Sequence, residues 1–325
     1  MPKVVVLSPL PATVVRSFFA PYIPQNMDLD VITINDTSSP SFIKEISEAD
    51  VIIGDYTFAI PITEEFCKYM KNVKLIQQPS TGYDHIDVEA CRKLGIPVAN
   101  IGGANSISVA EHTIALALSL LKRIPYAHQQ IMNGRWTQAE LMNLAGEVYG
   151  KVWGILGMGR TGKEVSKRAV AMGAKVVYFD KIRPEEAKDM EFKPLHELLN
   201  QSDIISVHLP LTDETRSMIG EKEFRMMKPT SLFINVSRGE IVDEGALAKA
   251  LSEGWIAGAG VDVFSEEPLP SDHSLIKAAK EGSNLIMTPH IAGATNEARM
   301  RIIQFTIENV ARVLTGEKPQ NVVNM

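Results

Sequence analysis

The chain has 325 residues, 45% hydrophobic and 22% charged, with a formal net charge of −6; that length suits about two domains with sizeable cores, and without a Lys/Arg cluster the surface favours neither nucleic acid nor an anionic membrane. The two cysteines, Cys67 and Cys91, form neither a metal-ligand spacing nor a disulfide framework, which suits a reducing cytoplasm. Residues 1–7 lack the length of a signal-peptide core, and the longest apolar run, near 114–121, is far below the roughly 20 residues of a membrane span.

Up to residue 100, short β-branched runs alternate with amphipathic segments. Residues 3–7, 30–34, 51–54, 75–78 and 97–100 read as strands, and 12–19, 41–48, 63–70 and 88–93 as helices. Thr63 and Asp87, each followed by acids, stand where helix N-caps belong. This alternation predicts a parallel sheet covered on both faces. A longer helix, 106–122, follows, its apolar residues Ile107, Ala110, Ile114, Ala117, Leu118 and Leu121 predicting one buried stripe. Residues 125–150 are polar and weakly periodic but hold Tyr126, Trp136 and Tyr149, an arrangement expected of an arm that packs on a second subunit, the alternative being a loop that covers its own domain.

Residues 152–180 carry the most specific signal. The apolar strand 152–156 runs into Gly157-Met158-Gly159-Arg160-Thr161-Gly162, the loop opens a helix, and a second strand, 175–179, ends at Asp180. A GxGxxG loop in that setting is built for a dinucleotide: Gly157 permits the tight turn, Gly159 lets backbone approach a pyrophosphate, and Gly162 lets helix and strand pack closely. Asp180 lies 18 residues after Gly162, near the roughly 20 expected of an acid that accepts from a ribose 2′-hydroxyl. Such an acid disfavours a 2′-phosphate and points to NAD rather than NADP, although Lys181 and Arg183 follow it closely. Strands at 204–207, 232–235, 257–261 and 284–287, a helix at 244–253 and a last amphipathic helix at 296–314 complete the pattern. That last helix is expected to return to the first unit, so the chain crosses between domains twice, near Ile101 and Gly293, a geometry suited to hinge closure.

Three segments after predicted strands hold polar groups that a core would not select: Asn235-Val236-Ser237-Arg238-Gly239, Asp262 to Pro268, and Thr288-Pro289-His290. In open α/β sheets the carboxyl ends of strands line the ligand crevice. Arg238 offers a bidentate fork for a carboxylate, His290 can carry a proton near neutral pH, and Glu267 beside it would orient the ring and favour its charged form. Taken singly, each has a bland reading as a surface ion pair, a turn acid or a strand-end histidine; together they suffice for proton-coupled hydride transfer. None of the seven histidines forms a ligand-like pair with another, so no metal site is expected.

These features resemble the D-isomer-specific 2-hydroxyacid dehydrogenases over essentially the whole chain. The resemblance rests on residues 157–162 with Asp180, on His208-Leu209-Pro210-Leu211-Thr212 with Thr215, on 235–240, on Asp262-Val263-Phe264 with Glu267-Pro268, and on Pro289-His290. The spacings of 29 residues from Arg238 to Glu267 and 23 from Glu267 to His290 also fit. The resemblance implies two Rossmann-like or flavodoxin-like doubly wound parallel-sheet α/β domains, with an NAD-binding domain (101–293) inserted into a substrate-binding domain (1–100 and 294–325). It implies that Arg238 clamps the substrate carboxylate and carbonyl oxygen, that His290 exchanges a proton with the 2-keto oxygen, and that Glu267 holds and charges the ring. Backbone N–H groups of Ser80, Thr81 and Gly82 would also hold the carboxylate. Cofactor contacts would come from Gly157, Gly159, Arg160, Thr161, Gly162, Asp180, His208, Pro210, Thr215, Val236 and Ser237, with Asp262 positioning the nicotinamide carboxamide. A cytoplasmic homodimer formed through the NAD-binding domains is the implied assembly.

Related activities are distinguishable in part. Formate dehydrogenases share the helix start at 105–112 but carry Gln in place of Glu267, which favours a hydroxy acid here. Phosphoglycerate dehydrogenases tend to place arginine after the third strand, where this chain has Gly54-Asp55-Tyr56-Thr57-Phe58-Ala59, and the chain ends at Met325 without room for a regulatory module. The expected substrate is therefore a small or apolar 2-keto acid such as glyoxylate, hydroxypyruvate, pyruvate or a longer aliphatic one. A nucleotide-sensing corepressor of the same fold would keep Arg, Glu and His, but this chain has no disordered extensions of the kind expected for partner recruitment.

Overall fold

The computed structural model describes residues 1–23, 25, 27–39, 41–187 and 190–325. The chain divides into two compact units, one made of Met1–Asn105 and Asn296–Met325, the other of Ser106–Thr295.

The first unit alternates β1 (Lys3–Leu7), α1 (Ala12–Phe19), β2 (Asp30–Ile34), α2 (Phe42–Glu48), β3 (Val51–Ile53), α3 (Glu64–Cys67), β4 (Leu75–Gln77), α4 (Val88–Lys93) and β5 (Val98–Ala99). The strands pair in parallel in the order β2-β1-β3-β4-β5. Side chains alternate across the sheet: Val5, Ile52 and Ile76 pack on Ile46 and Phe66, whereas Val4, Val6 and Val51 pack on Val15 and Phe19. Each large aliphatic side chain removed from water this way stabilises the unit by about 1.5–3 kcal/mol. The expected caps form, with Thr63 Oγ1 accepting from the Phe66 N–H and Asp87 Oδ1 from the Ala90 N–H. Helix α3 ends at Cys67, short of residue 70, because Lys68, Tyr69 and Met70 donate to carbonyls three residues back and tighten into turns.

Cys67 and Cys91 are free and buried, yet α3 and α4 bring their sulfurs to 3.3 Å. Their spacing in the chain does not disclose this contact, which comes from the side-by-side packing of two short helices. The hydrogen bond between the sulfurs, together with burial, pushes the Cys91 thiol up from its ordinary pKa.

The second unit opens with α5 (Ser106–Leu121), α6 (Ile124–Met132) and α7 (Gln138–Leu141). It continues through β6 (Val152–Leu156), α8 (Arg160–Ala171), β7 (Lys175–Phe179), β8 (Glu191–Phe192), α9 (Leu195–Gln201) and β9 (Ile204–Val207). It closes with α10 (Glu221–Met226), β10 (Leu232–Asn235), α11 (Glu244–Ser252), β11 (Gly258–Val261), α12 (Ser274–Lys280) and β12 (Leu285–Met287). All its strands are parallel, in the order β12-β11-β10-β9-β6-β7-β8, so the winding reverses between β6 and β9. Edge strand β8, two residues long, is too short to show a period and was not expected. Leu156, Ile205, Val207 and Phe233 face one helical layer, and Trp153, Ile155, Tyr178 and Ile234 face the other.

The buried stripe of α5 differs from the one expected. Ala110, Thr113, Leu116, Ala117 and Leu120 are buried, Ile114, Leu118 and Leu121 flank them, and Ile107 is 43% exposed. A helix this apolar leaves its orientation to the neighbours, and the close approach of Leu116 to Gly260 of β11 sets it. The chain then returns to the first unit as α13 (Asn296–Leu314), where Ile307 and Val310 join the Val4 and Val6 cluster and Asn309 donates to Gln77 Oε1 at 2.6 Å. Among the described residues no helix is long and apolar enough to cross a membrane.

Because both thiols are buried, neither should react with a thiol reagent within minutes in native buffer, whereas both should react in denaturant. A rapidly reacting equivalent in native buffer would show that α3 opens from α4.

Candidate active site

The candidate residues of the second unit stand at the carboxyl edge of its sheet. Gly157, at the end of β6, has φ +97° and lies so close to His208 that a Cβ there would sit 2.7 Å from the His208 carbonyl. A Cβ on Gly162 would meet the Gly157 oxygen at 2.1 Å, while a Cβ on Gly159 would meet nothing within 4 Å. The loop is thus tight where helix and strand touch and open where backbone faces outward. No side chain caps α8, so its first-turn N–H groups face that open space. Asp180, at the end of β7, accepts from the Met158 N–H at 2.7 Å and from the Ile182 N–H at 3.2 Å, which fixes the acid beside the glycine loop. These residues fit a dinucleotide: an open backbone and helix terminus for phosphates, and a positioned acid for a ribose.

His208 follows β9. Its Nε2 lies 2.9 Å from Ser206 Oγ, which also accepts from Trp153 Nε1 at 3.0 Å. Burial lowers the His208 pKa to about 3, so the ring is neutral, and Nδ1 is buried without a hydrogen-bond partner among the described residues. Beside the Gly157 turn, that orphaned atom is a further polar group for a bound nucleotide to meet. Thr215 Oγ1 donates to the Pro210 carbonyl at 2.7 Å and accepts from the Thr212 N–H at 2.8 Å, closing the turn after His208 on itself. Ser237 Oγ donates to the Leu209 carbonyl, tying the ends of β9 and β10 together, and Val236 is buried behind it.

Arg238, Glu267 and His290 follow β10, β11 and β12, three adjacent strands. His290 Nδ1 is 2.7 Å from Glu267 Oε2, and Glu267 Oε1 accepts from the Phe264 N–H at 2.9 Å. Burial opposes ionisation of Glu267, but hydrogen bonds from His290 and Phe264 and the nearby charges of His290 and Arg238 outweigh it, and its pKa falls below the ordinary value. The pair remains accessible, with side-chain exposures of 40% for His290 and 36% for Glu267. Since Nδ1 faces the carboxylate, Nε2 is the nitrogen left for a substrate.

Close packing brings the three together. A Cβ on Gly239 would lie 2.0 Å from the Phe264 carbonyl carbon and 2.1 Å from the Ser265 nitrogen, so the backbone after Arg238 rests directly on the segment leading to Glu267. Glu244, 8% exposed, fixes that segment from beneath, accepting from the Ser265 N–H at 2.8 Å and hydroxyl at 2.6 Å and lying 3.1 Å from His273 Nε2. Sequence reading passes over Glu244, which looks like an ordinary first-turn acid, because its partners lie 21 and 29 residues away. Asp262 is fully buried and holds the next loop: Oδ1 accepts from the Ile291 N–H at 2.9 Å and Oδ2 from the Ala292 N–H at 2.8 Å. Between them His290 sits at φ +53°, its N–H donating to the carbonyls of Asp262 and Thr288. A left-handed non-glycine residue is strained by on the order of 1–3 kcal/mol, and these contacts hold it there.

The first unit carries Ser80, Thr81 and Gly82 just after β4. Gln78 Nε2 donates to Ser80 Oγ at 2.7 Å, Ser80 Oγ to the Gly82 carbonyl at 2.7 Å, and Asn100 Nδ2 to the Thr81 carbonyl at 2.9 Å. Side chains and carbonyls are anchored, whereas the three backbone N–H groups donate to nothing among the described residues.

A positioned dinucleotide loop and a carboxylate-paired histidine on one sheet edge supply the two halves of a hydride-and-proton transfer, the property of a nicotinamide-dependent dehydrogenase. Residues 114–292 match the model of the D-isomer specific 2-hydroxyacid dehydrogenase, NAD binding domain. A glyoxylate reductase of Korarchaeum cryptofilum is 39% identical over 310 residues, 93% of this chain and 91% of that protein. A D-3-phosphoglycerate dehydrogenase of Methanocaldococcus jannaschii is 37% identical over 287 residues, 87% of this chain and 53% of that protein. The crystal structure of a D-lactate dehydrogenase from Aquifex aeolicus, complexed with NAD and lactic acid, superposes with a TM-score of 0.85 at 32% identity, covering 99% of each chain. The chain belongs to the D-isomer specific 2-hydroxyacid dehydrogenase family. It is an NAD-dependent oxidoreductase that interconverts 2-keto and 2-hydroxy acids.

The Gly239 contact makes a specific demand on sequence. Gly239→Ala should lower kcat/KM for 2-keto acid reduction by about 100-fold while thermal unfolding stays cooperative, and near wild-type turnover would contradict the packing assigned here.

Proposed function

We propose that the enzyme reduces a small, unphosphorylated 2-keto acid, with glyoxylate or hydroxypyruvate the foremost candidates. The unit Ser106–Thr295 is the NAD-binding domain and the other unit the substrate-binding domain. NADH supplies the hydride when bound, held by the glycine loop with Arg160 and Thr161, by Asp180 at the ribose and by the His208 to Thr215 turn with Val236 and Ser237; Asp262 acts at the nicotinamide end from beneath the His290 loop. Arg238 binds the substrate carboxylate and polarises the keto oxygen, and the N–H groups of Ser80, Thr81 and Gly82 bind the carboxylate. His290 gives its Nε2 proton to the keto oxygen as the carbonyl is reduced and takes it back in oxidation, while Glu267 holds the ring through Nδ1 and balances its charge. The hydrogen bond of 2.7 Å between His290 and Glu267 carries this reading.

The loop after β3 favours a small substrate without a phosphate. Asp55 is 1% exposed and accepts from the Thr57 N–H at 2.9 Å and the Ile60 N–H at 3.1 Å, so it is bound inward, and the loop presents Tyr56 and Phe58 but no Lys or Arg for a phosphate. The glyoxylate reductases among the relatives support a small acid.

His290→Ala should lower kcat for glyoxylate reduction by about 10²–10⁴-fold with NADH affinity retained, and turnover within a fewfold of wild type would remove the assigned role. In the same assay kcat/KM should be higher with NADH than with NADPH; equal or inverted values would overturn the preference assigned to Asp180.

The enzyme is further proposed to be a cytoplasmic homodimer joined through the NAD-binding domains. Along 131–149 it exposes Ile131, Met132, Trp136, Met142, Leu144 and Tyr149, with Trp136 at 80% and Met142 at 78%, an apolar surface that a second copy would cover. Light scattering should give twice the chain mass, and Trp136→Glu with Met142→Glu should shift it toward one chain mass; a wild-type monomer would refute the dimer.

A further inference from the structure

Helix α5 grips the loop that carries His290, through residues that the proposed chemistry does not use. Ser108 Oγ donates to the Ala292 carbonyl at 2.7 Å, and His112 Nε2 lies 3.0 Å from Thr288 Oγ1. Thr288 Oγ1 is in turn 2.5 Å from Asp262 Oδ1. The hydroxyl has one proton, which sets the direction of the chain. Asp262 already accepts the N–H groups of Ile291 and Ala292 and has only lone pairs to offer, so Thr288 donates to it and accepts from His112. His112 Nε2 therefore carries a hydrogen and heads a relay from N–H through O–H to carboxylate. At 3.5 Å its direct approach to Asp262 Oδ1 is too long to replace that relay.

We propose that His112 is a positioning residue for His290. Its N–H holds the Thr288 hydroxyl on Asp262, and Asp262 with Ser108 holds residues 288–292 in the backbone that keeps His290 at φ +53°. Without that N–H the Thr288 hydroxyl is free to turn, the Asp262 clamp loosens, and the imidazole loses its aim at the substrate. This inference rests on His290 being the acid–base group.

The test compares His112→Ala, His112→Gln, Thr288→Val and the Ala/Val double variant with His290→Ala. The readouts are kcat for glyoxylate at saturating NADH, KM, and the NADH dissociation constant by fluorescence. His112→Ala should lower kcat by about 10- to 100-fold and leave NADH affinity within about twofold. His112→Gln, whose amide can donate to Thr288, should recover most of the turnover, a rescue that a general loss of packing would not give. Thr288→Val should match His112→Ala, and the double variant should be no worse than the more damaged single, since both cut one chain. The proposal is overturned if His112→Ala turns over like wild type, if Gln is as damaging as Ala, if the two losses multiply, or if the loss falls on NADH affinity instead of kcat. Retained turnover in His290→Ala would instead overturn the role given to His290 itself, whatever the His112 variants show.

Discussion

In a parallel sheet every strand delivers its carboxyl end to the same edge, and the function of this enzyme depends on that constraint. The pairing of His290 with Glu267 cannot be made locally, because the two are 23 residues apart. They meet because β11 and β12 are neighbours, separated by about 4.8 Å as sheet strands are, and each turns into a loop at the same end. Arg238 arrives one strand further along. Beyond Arg238, in the same direction, the edge carries His208, Gly157 and Asp180, so the Glu267–His290 pair and the glycine loop are ordered along one line by strand order alone.

An edge of loops is not rigid by itself, and here buried carboxylates make it so. Glu244 and Asp262 are both removed from water, which is unfavourable for a charge without partners. Each is satisfied by backbone N–H and hydroxyl donors of the loop it holds, so its burial is tolerated only while that loop keeps its native path. The strain at His290 is maintained by the same means. Glu267, by contrast, is left partly open beside the histidine, its charge favoured by His290, the Phe264 N–H and Arg238. The acids that hold the loops are thus buried and fully bonded, while the acid paired with the histidine remains accessible.

The first unit shows the same economy in a different form. Its loop after β4 anchors side chains and carbonyls, while the N–H groups of Ser80, Thr81 and Gly82 donate to nothing among the described residues. Its loop after β3 folds Asp55 inward and carries Tyr56 and Phe58 beside it.

Much of this was legible in one dimension, for a reason rooted in local physics. Helix caps, β-branched runs, the glycine loop and strand-end polar residues act over a few residues, so Thr63 and Asp87 as caps, Gly157 to Gly162 as a tight strand-to-helix turn, and Arg238, Glu267 and His290 as polar residues at strand ends could be read from the chain. The features that escaped reading are those set by contacts across many residues. The face α5 buries depended on Leu116 meeting Gly260, and β8 was too short to carry a period. The Cys67 and Cys91 contact arose from two helices packing side by side, and Glu244, like His112, became significant only through distant partners. Composition and pattern alone thus determined the α/β class, the glycine loop between strand and helix, and the polar residues that end the strands. Tertiary structure decided which of these touch, because hydrogen bonds and close packing act over a few ångströms, and only the folded sheet edge brings residues so far apart in the chain within that range.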